Sequence, residues 1–317
     1  MKAVFLDYAT MGAELDLTEL RSHFSELELF DDSSDDEVAA RIKDAEFVFT
    51  NKIRLTDSLI QSAKRLRYIG LTATGTDNID LEAAQRNGIA VANIRAYCTQ
   101  SVVEHVMGTL LMLTHSLNRY DASVKAGDWQ KAREFCLLSF PIRQLTGMTL
   151  GVIGYGALGQ GVATAARAFG MQVVVSARPG AVDIDPDRVA FDEVLADADV
   201  VSLHCPLTED TRNLFNAASM AGMKPGAILI NTARGALVDA DALVSALRSG
   251  HLAGAAIDVL AEEPPVCGNA LLEYGGDNLI ITPHIAWGTD QARQNAIDEL
   301  AANAVAYLHD EERNRVV

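Results

Sequence analysis

The chain has 317 residues, 49% of them hydrophobic, and a formal net charge of −17. That length and apolar content allow two domains, each with its own core. The acidity argues against holding nucleic acid or an anionic membrane surface by general electrostatics, although a local arginine can still bind a small anionic substrate.

Lys2–Leu6 reads as a strand rather than a signal peptide, and no apolar run reaches the length of a membrane span. Apolar runs at Ala3–Leu6, Leu27–Phe30, Phe47–Thr50, Tyr68–Ala73 and Ile89–Ala92 are of strand length. Helix-like stretches such as Asp36–Ala45 and Thr56–Arg65 lie between them, and this alternation predicts a parallel, doubly wound sheet. Thr99–Tyr120 is predicted as one long helix, capped by Thr99 or Ser101 and apolar on more than one face, as suits burial between layers or in a subunit interface. His105 and His115 on it read as packing residues, because neither has a carboxylate and a cofactor loop nearby in sequence. Residues 123–146, with Trp129, Phe135 and Phe140, read as an irregular extension, either a domain-crossing linker or an arm that grasps another subunit, the arm being favoured. Cys98, Cys136, Cys205 and Cys267 form no C-x-x-C pair, and their spacing suits neither a metal site nor a disulfide framework, so a reducing compartment, the cytoplasm, is expected.

The most informative stretch follows. Met148–Ile153 is an apolar strand that runs into Gly154-Tyr155-Gly156-Ala157-Leu158-Gly159 and then into an Ala-rich helical pattern. In such a G-x-G-x-x-G turn the first glycine permits the tight turn, the second lets a pyrophosphate approach the backbone, and the third lets the helix pack on the sheet. The helix N-terminus offers unpaired N–H groups to the phosphates. Further strands are predicted near Gln172–Ser176, Val200–His204, Ala227–Asn231, Gly254–Val259 and Leu279–Thr282, giving the six of a dinucleotide fold. Thr289–Leu308 then makes a last helix. Polar residues gather where strand ends should open into a crevice, so Arg234, Glu263 and His284 can converge on one site from three strand ends.

In these motifs the chain resembles the D-isomer-specific 2-hydroxyacid dehydrogenases. Gly154–Gly159, Leu203-His204-Cys205-Pro206-Leu207-Thr208, Asn231–Gly235, Asp258-Val259 through Glu263-Pro264, Thr282-Pro283-His284 and Gly75–Asp80 stand in the family's order and spacing, over essentially the whole chain. Asn51-Lys52 and Thr282–Trp287 lean toward its glycerate dehydrogenase, or hydroxypyruvate reductase, branch. The resemblance implies two doubly wound α/β domains: a flavodoxin-like substrate domain of residues 1–97 and 288–317, and a Rossmann domain of residues 98–287 inserted into it, with a dimerisation helix and arm at 100–147. It implies reduction of a 2-keto acid, hydroxypyruvate or glyoxylate, to the D-2-hydroxy acid. Phosphoglycerate dehydrogenase is the alternative within the family, and a nucleotide-sensing binding module the alternative outside enzymes.

The roles implied agree with what the chemistry needs. Arg234 anchors the substrate carboxylate through its planar fork and polarises the carbonyl. His284 is the proton donor, and Glu263 pairs with it. Thr74 and Gly75 hold the carboxylate through backbone N–H groups, with Asn51 and Lys52 near the substrate. Asp258 lies by the nicotinamide carboxamide. Cofactor contacts extend to His204, Cys205 and Pro206, and to Thr211, Thr232 and Ala233, with no metal required. One departure concerns cofactor choice. Where NAD-specific members place an acid for the ribose 2′-OH, this strand ends in Ala177 followed by Arg178, which favours NADP(H) over NAD(H). A homodimer completes the expectation.

Overall fold

The apolar runs of the N-terminal stretch become strands β1 (Lys2–Phe5), β2 (Glu26–Leu29), β3 (Phe47–Thr50), β4 (Tyr68–Leu71) and β5 (Ala90–Ala92), with α1 (Thr18–Ser22), α2 (Asp35–Ile42), α3 (Asp57–Ser62) and α4 (Leu81–Arg86) between them. Next come α5 (Thr99–Thr114), α6 (Leu117–Lys125) and α7 (Asp128–Lys131). The second series is β6 (Thr149–Ile153), α8 (Ala157–Ala168), β7 (Gln172–Val175), α9 (Phe191–Asp197), β8 (Val200–Leu203), α10 (Ala217–Ala221), β9 (Ala227–Asn231), α11 (Ala240–Arg248), β10 (Leu252–Ile257), α12 (Ala270–Glu273) and β11 (Leu279–Ile281). Helix α13 (Asp290–Leu308) closes the order. The computed structural model describes residues 1–317 and divides into two units, Met1–Cys98 with Gly288–Val317, and Thr99–Trp287.

The first unit carries a five-stranded sheet in the order β2-β1-β3-β4-β5, parallel throughout. This is the flavodoxin-like order. Strands β3 and β4 are wholly buried, as expected of a sheet covered on both faces. Helix α13 packs on one face so closely that a Cβ at Gly70 would sit 2.8 Å from Leu300 Cδ1. The edge at β5 is occupied by the chain's own residues: Ala92 bridges Arg315 antiparallel, and Val316 N–H donates to Val91 O at 2.8 Å.

The second unit carries a six-stranded parallel sheet in the order β11-β10-β9-β8-β6-β7. Its order reverses between β6 and β8, the switch point where a ligand of such a sheet binds. Beyond β7, a single Ser176–Val189 bridge stands where a further strand would lie. Helix α5 buries Val102, Val103, Val106, Met107 and Leu110 and packs on α8 at Gly161, where a Cβ would meet Val103 Cγ2 at 2.8 Å. The long helix predicted to Tyr120 is broken: Ser116 takes a left-handed φ of 51° and its hydroxyl donates to Pro141 O at 2.8 Å. The arm, predicted as irregular from residue 123, starts with helix, and Gly127 at φ 79° separates α6 from α7. No helix is long and apolar enough to cross a membrane.

Candidate active site

A parallel sheet puts all its strand C-termini on one edge, and in the second unit each expected site residue follows a strand there. Reading along the sheet, His284 follows β11, Asp258 follows β10, Thr232, Ala233 and Arg234 follow β9, and His204, Cys205 and Pro206 follow β8; the glycine loop then follows β6, and Ala177 and Arg178 follow β7. From β6 to β11 is four strand spacings, roughly 19 Å, the reach of an extended dinucleotide.

The glycine loop is shaped from within. Gly154 takes φ 94°, and a Cβ there would lie 2.5 Å from Cys205 N. A Cβ on Gly159 would lie 2.2 Å from Gly154 O, so helix α8 can start here only because that position is bare. Gly156 has nothing within 4 Å of its missing Cβ; its space is open to a ligand. Two buried polar atoms on the same edge, His204 Nδ1 and Thr232 Oγ1, have no protein partner. Open backbone at Gly156 and these orphaned atoms along the strand ends are what a dinucleotide would fill. Thr211 is turned to the scaffold, its hydroxyl donating to Pro206 O at 2.8 Å and accepting from Thr208 N at 2.7 Å.

At the other end of the edge the acid–base pair is assembled. His284 Nδ1 lies 2.6 Å from Glu263 Oε2, with the side chains 26% and 33% exposed. Glu263 Oε1 accepts from Leu260 N at 2.8 Å, so the carboxylate is aimed by its own loop. A carboxylate only accepts, so Nδ1 carries the hydrogen and Nε2 is the ring nitrogen that remains available. His284 itself sits at φ 57°, a left-handed conformation that a histidine seldom adopts. The loop bearing Arg234 is pressed against the loop bearing Glu263: a Cβ on Gly235 would fall 2.0 Å from Leu260 C. Arg234 Nη1 donates to Ala233 O at 2.8 Å.

What holds the strained histidine is Asp258. Its side chain is 1% exposed, and it accepts from Ile285 N at 2.9 Å, Ala286 N at 2.9 Å and Thr282 Oγ1 at 2.6 Å. Its main-chain oxygen also accepts from His284 N at 2.8 Å. Asp258, expected by the nicotinamide carboxamide, is buried, and both its oxygens accept hydrogen bonds from the 282–286 segment. His105, expected only to pack, has Nε2 3.1 Å from Thr282 Oγ1 and 3.8 Å from Asp258 Oδ1. Ser101, expected as a cap, donates to Ala286 O at 2.6 Å. All three act on the same segment from distant positions, and of them only Asp258 stands in a motif.

His204 is a poor candidate for the proton donor. Burial pushes its imidazole down to about 4, so it is neutral across the working range, and Nε2 lies 2.9 Å from Ser202 Oγ. Burial likewise raises the Cys205 thiol above its ordinary value, which suits a wall residue and not a thiolate nucleophile.

In the first unit, the expected substrate residues follow β3 and β4. Thr74 Oγ1 donates to Ile94 O at 2.9 Å, and its carbonyl accepts from Asn93 Nδ2 at 2.6 Å, fixing the backbone that leads into Gly75. Asn51, expected at the substrate, is 5% exposed and its amide donates to Thr10 Oγ1 at 3.1 Å. Lys52 beside it is exposed. Sequence reading missed Asp7, 1% exposed, whose carboxylate accepts from Asn51 N at 2.9 Å and Lys52 N at 2.6 Å and so shapes that turn.

Comparison with known proteins bears on the whole chain. The family described as D-isomer specific 2-hydroxyacid dehydrogenase, NAD binding domain, matches residues 107–286. The chain is 40% identical over 317 residues to the glycerate dehydrogenase of Methylorubrum extorquens, covering 99% of this chain and 98% of that one. It is 36% identical over 315 residues to the hydroxypyruvate reductase of Blautia hydrogenotrophica, covering 97% of each. A solved acyclic imino acid reductase in complex with NADPH and D-Arg matches 100% of both chains with a TM-score of 0.87 at 28% identity.

Proposed function

The chain belongs to the D-isomer specific 2-hydroxyacid dehydrogenase family, and from that membership we propose that it reduces hydroxypyruvate to D-glycerate and glyoxylate to glycolate. It is an oxidoreductase of CH–OH donors with a nicotinamide cofactor. The observation that carries the site reading is the 2.6 Å Glu263–His284 pair at the sheet's carboxyl edge, beside the loop that bears Arg234. A nicotinamide held along the edge from the glycine loop to Asp258 would supply the hydride. His284 Nε2 gives a proton to the carbonyl oxygen, and Glu263 balances the charge and holds the ring's orientation. Arg234 takes the carboxylate. On this reading Lys52, Thr74 and Gly75 are substrate contacts as well, and the cofactor contacts include Tyr155, Ala157, Leu158 and Pro206.

The cofactor is proposed to be NADP(H). Ala177 carries no charge to repel a 2′-phosphate, and Arg178 is exposed with no carboxylate partner. The test is loss of reduced-nicotinamide absorbance with purified protein, hydroxypyruvate, and NADPH or NADH in parallel. Turnover that is faster with NADPH is expected. Preference for 3-phosphohydroxypyruvate would replace the substrate assignment with phosphoglycerate dehydrogenase, and no turnover of any 2-keto acid would sink it.

A homodimer through residues 100–147 is proposed too. Its support is an arm that leaves Phe135 89% and Leu138 78% exposed, more apolar surface than a free segment of this length favours. Light scattering at micromolar concentration should give twice the chain mass of 34.0 kDa, and a monomer would remove this proposal. The four free thiols support a reducing compartment, and so a cytoplasmic location is proposed.

A further inference from the structure

The end of β7 carries a second arginine that no motif announced. Where a further strand would extend the sheet, Val189 pairs with the strand end instead: Ala177 N donates to Val189 O at 2.7 Å, and Val189 N donates to Val175 O at 2.9 Å. Arg178 and Arg188 therefore flank one backbone hydrogen bond. Arg188 is half-buried and held in place. Its Nη1 donates to Ser176 O at 3.2 Å, and its guanidinium lies 5.5 Å from the ring centroid of Tyr155, the residue between the first two glycines of the loop. No carboxylate lies within ion-pair distance of it, Asp183, Asp185 and Asp187 standing in the loop just before it, and its remaining N–H donors are unspent. The acid that would accept a ribose 2′-OH is absent from the position between these groups, which Ala177 occupies.

We propose that Arg188 selects NADP(H), receiving the 2′-phosphate together with Arg178 at the junction of the glycine loop and the end of β7. Physical cause favours Arg188 as the stronger contact. It is already fixed by Ser176 O and by Tyr155, so little side-chain freedom is lost when a phosphate arrives, whereas the exposed Arg178 must be ordered. A planar guanidinium also meets a phosphate bidentately. Tyr155 gains a reason for its place, since it supports the guanidinium from its face.

This inference rests on the reading of the cofactor as NADP(H), and equilibrium binding separates the two. Dissociation constants for NADPH and NADH are measured by calorimetry on full-length wild type, Arg188→Gln and Arg178→Ala, with thermal melts alongside. The backbone bonds between Val189 and the strand end do not depend on the Arg188 side chain, so the strand end stays intact while the charge goes. Arg188→Met, which keeps an apolar stem over Tyr155, serves in its place if the glutamine variant fails to fold. Wild type should bind NADPH more tightly, and Arg188→Gln should weaken NADPH by about 10–100-fold while NADH is unchanged. An unchanged NADPH/NADH ratio in Arg188→Gln overturns the role of Arg188; if Arg178→Ala abolishes the ratio in that case, the cofactor reading stands without it. Wild type that binds NADH more tightly overturns both.

Discussion

His284→Asn is expected to lower kcat for keto-acid reduction by about 10²–10⁴-fold, with KM and cofactor affinity close to wild type. Asparagine is the informative replacement because the position is left-handed, φ 57°, and Asn tolerates that region better than other side chains. The backbone and the 282–286 segment are then preserved, and the loss reports the missing proton donor alone. Steady-state kinetics with hydroxypyruvate, paired with a binding measurement for the reduced cofactor, makes the separation. A variant within ten-fold of wild-type kcat would remove His284 from the chemistry and return attention to the other groups on the sheet edge.

Asp258→Ala is expected to destabilise the second unit by about 3–5 kcal/mol. The change strands Ile285 N and Ala286 N, which donate to the carboxylate, and leaves the Thr282 hydroxyl with His105 Nε2 alone. Each buried donor left without its partner costs about 1–3 kcal/mol. For a unit of this size a shift of each kcal/mol moves the melting temperature by about 2–4 °C, so calorimetry should record a fall on the order of 10 °C. Activity falls as well, because the segment that aims His284 loses the groups that pin it. A melt indistinguishable from wild type would show that Asp258 is not what holds the segment, and that the strained histidine is supported elsewhere.

The strands were legible because parallel sheets buried on both faces read as unbroken apolar runs, and β3, β6 and β9 fall where those runs do. The glycine loop was legible because its demands are local: turn, approach and packing all lie within six residues. Helix α5 was overextended, since the break at Ser116 depends on Pro141, 25 residues on. The same physical cause hid His105. Its partners, Thr282 and Asp258, lie 177 and 153 positions along the chain, so nothing adjacent marked it, and the absence of a neighbouring carboxylate was read as the absence of any. Asn51 shows the opposite case: a polar residue at a strand end reads as a ligand contact, and folding adds Thr10 as a partner for its amide. Asp7 and Arg188 are single charges in unremarkable sequence, and only folding gives them neighbours.

An edge strand with unpaired N–H and C=O groups is a template for another chain's strand, and so for aggregation. Each unit covers one such edge with a few residues of its own chain, Arg315–Val317 along β5 and Val189 beside β7. Val316, Val317 and Val189 also pack against the cores of their units, and the segments take up the hydrogen-bonding positions that a second copy would otherwise use. Solubility at high concentration thus depends on short pieces as well as on the bulk of each sheet. At β7 the covering piece brings Arg188 with it, so the residue assigned to cofactor choice also places a positive charge beside an edge that must not grow.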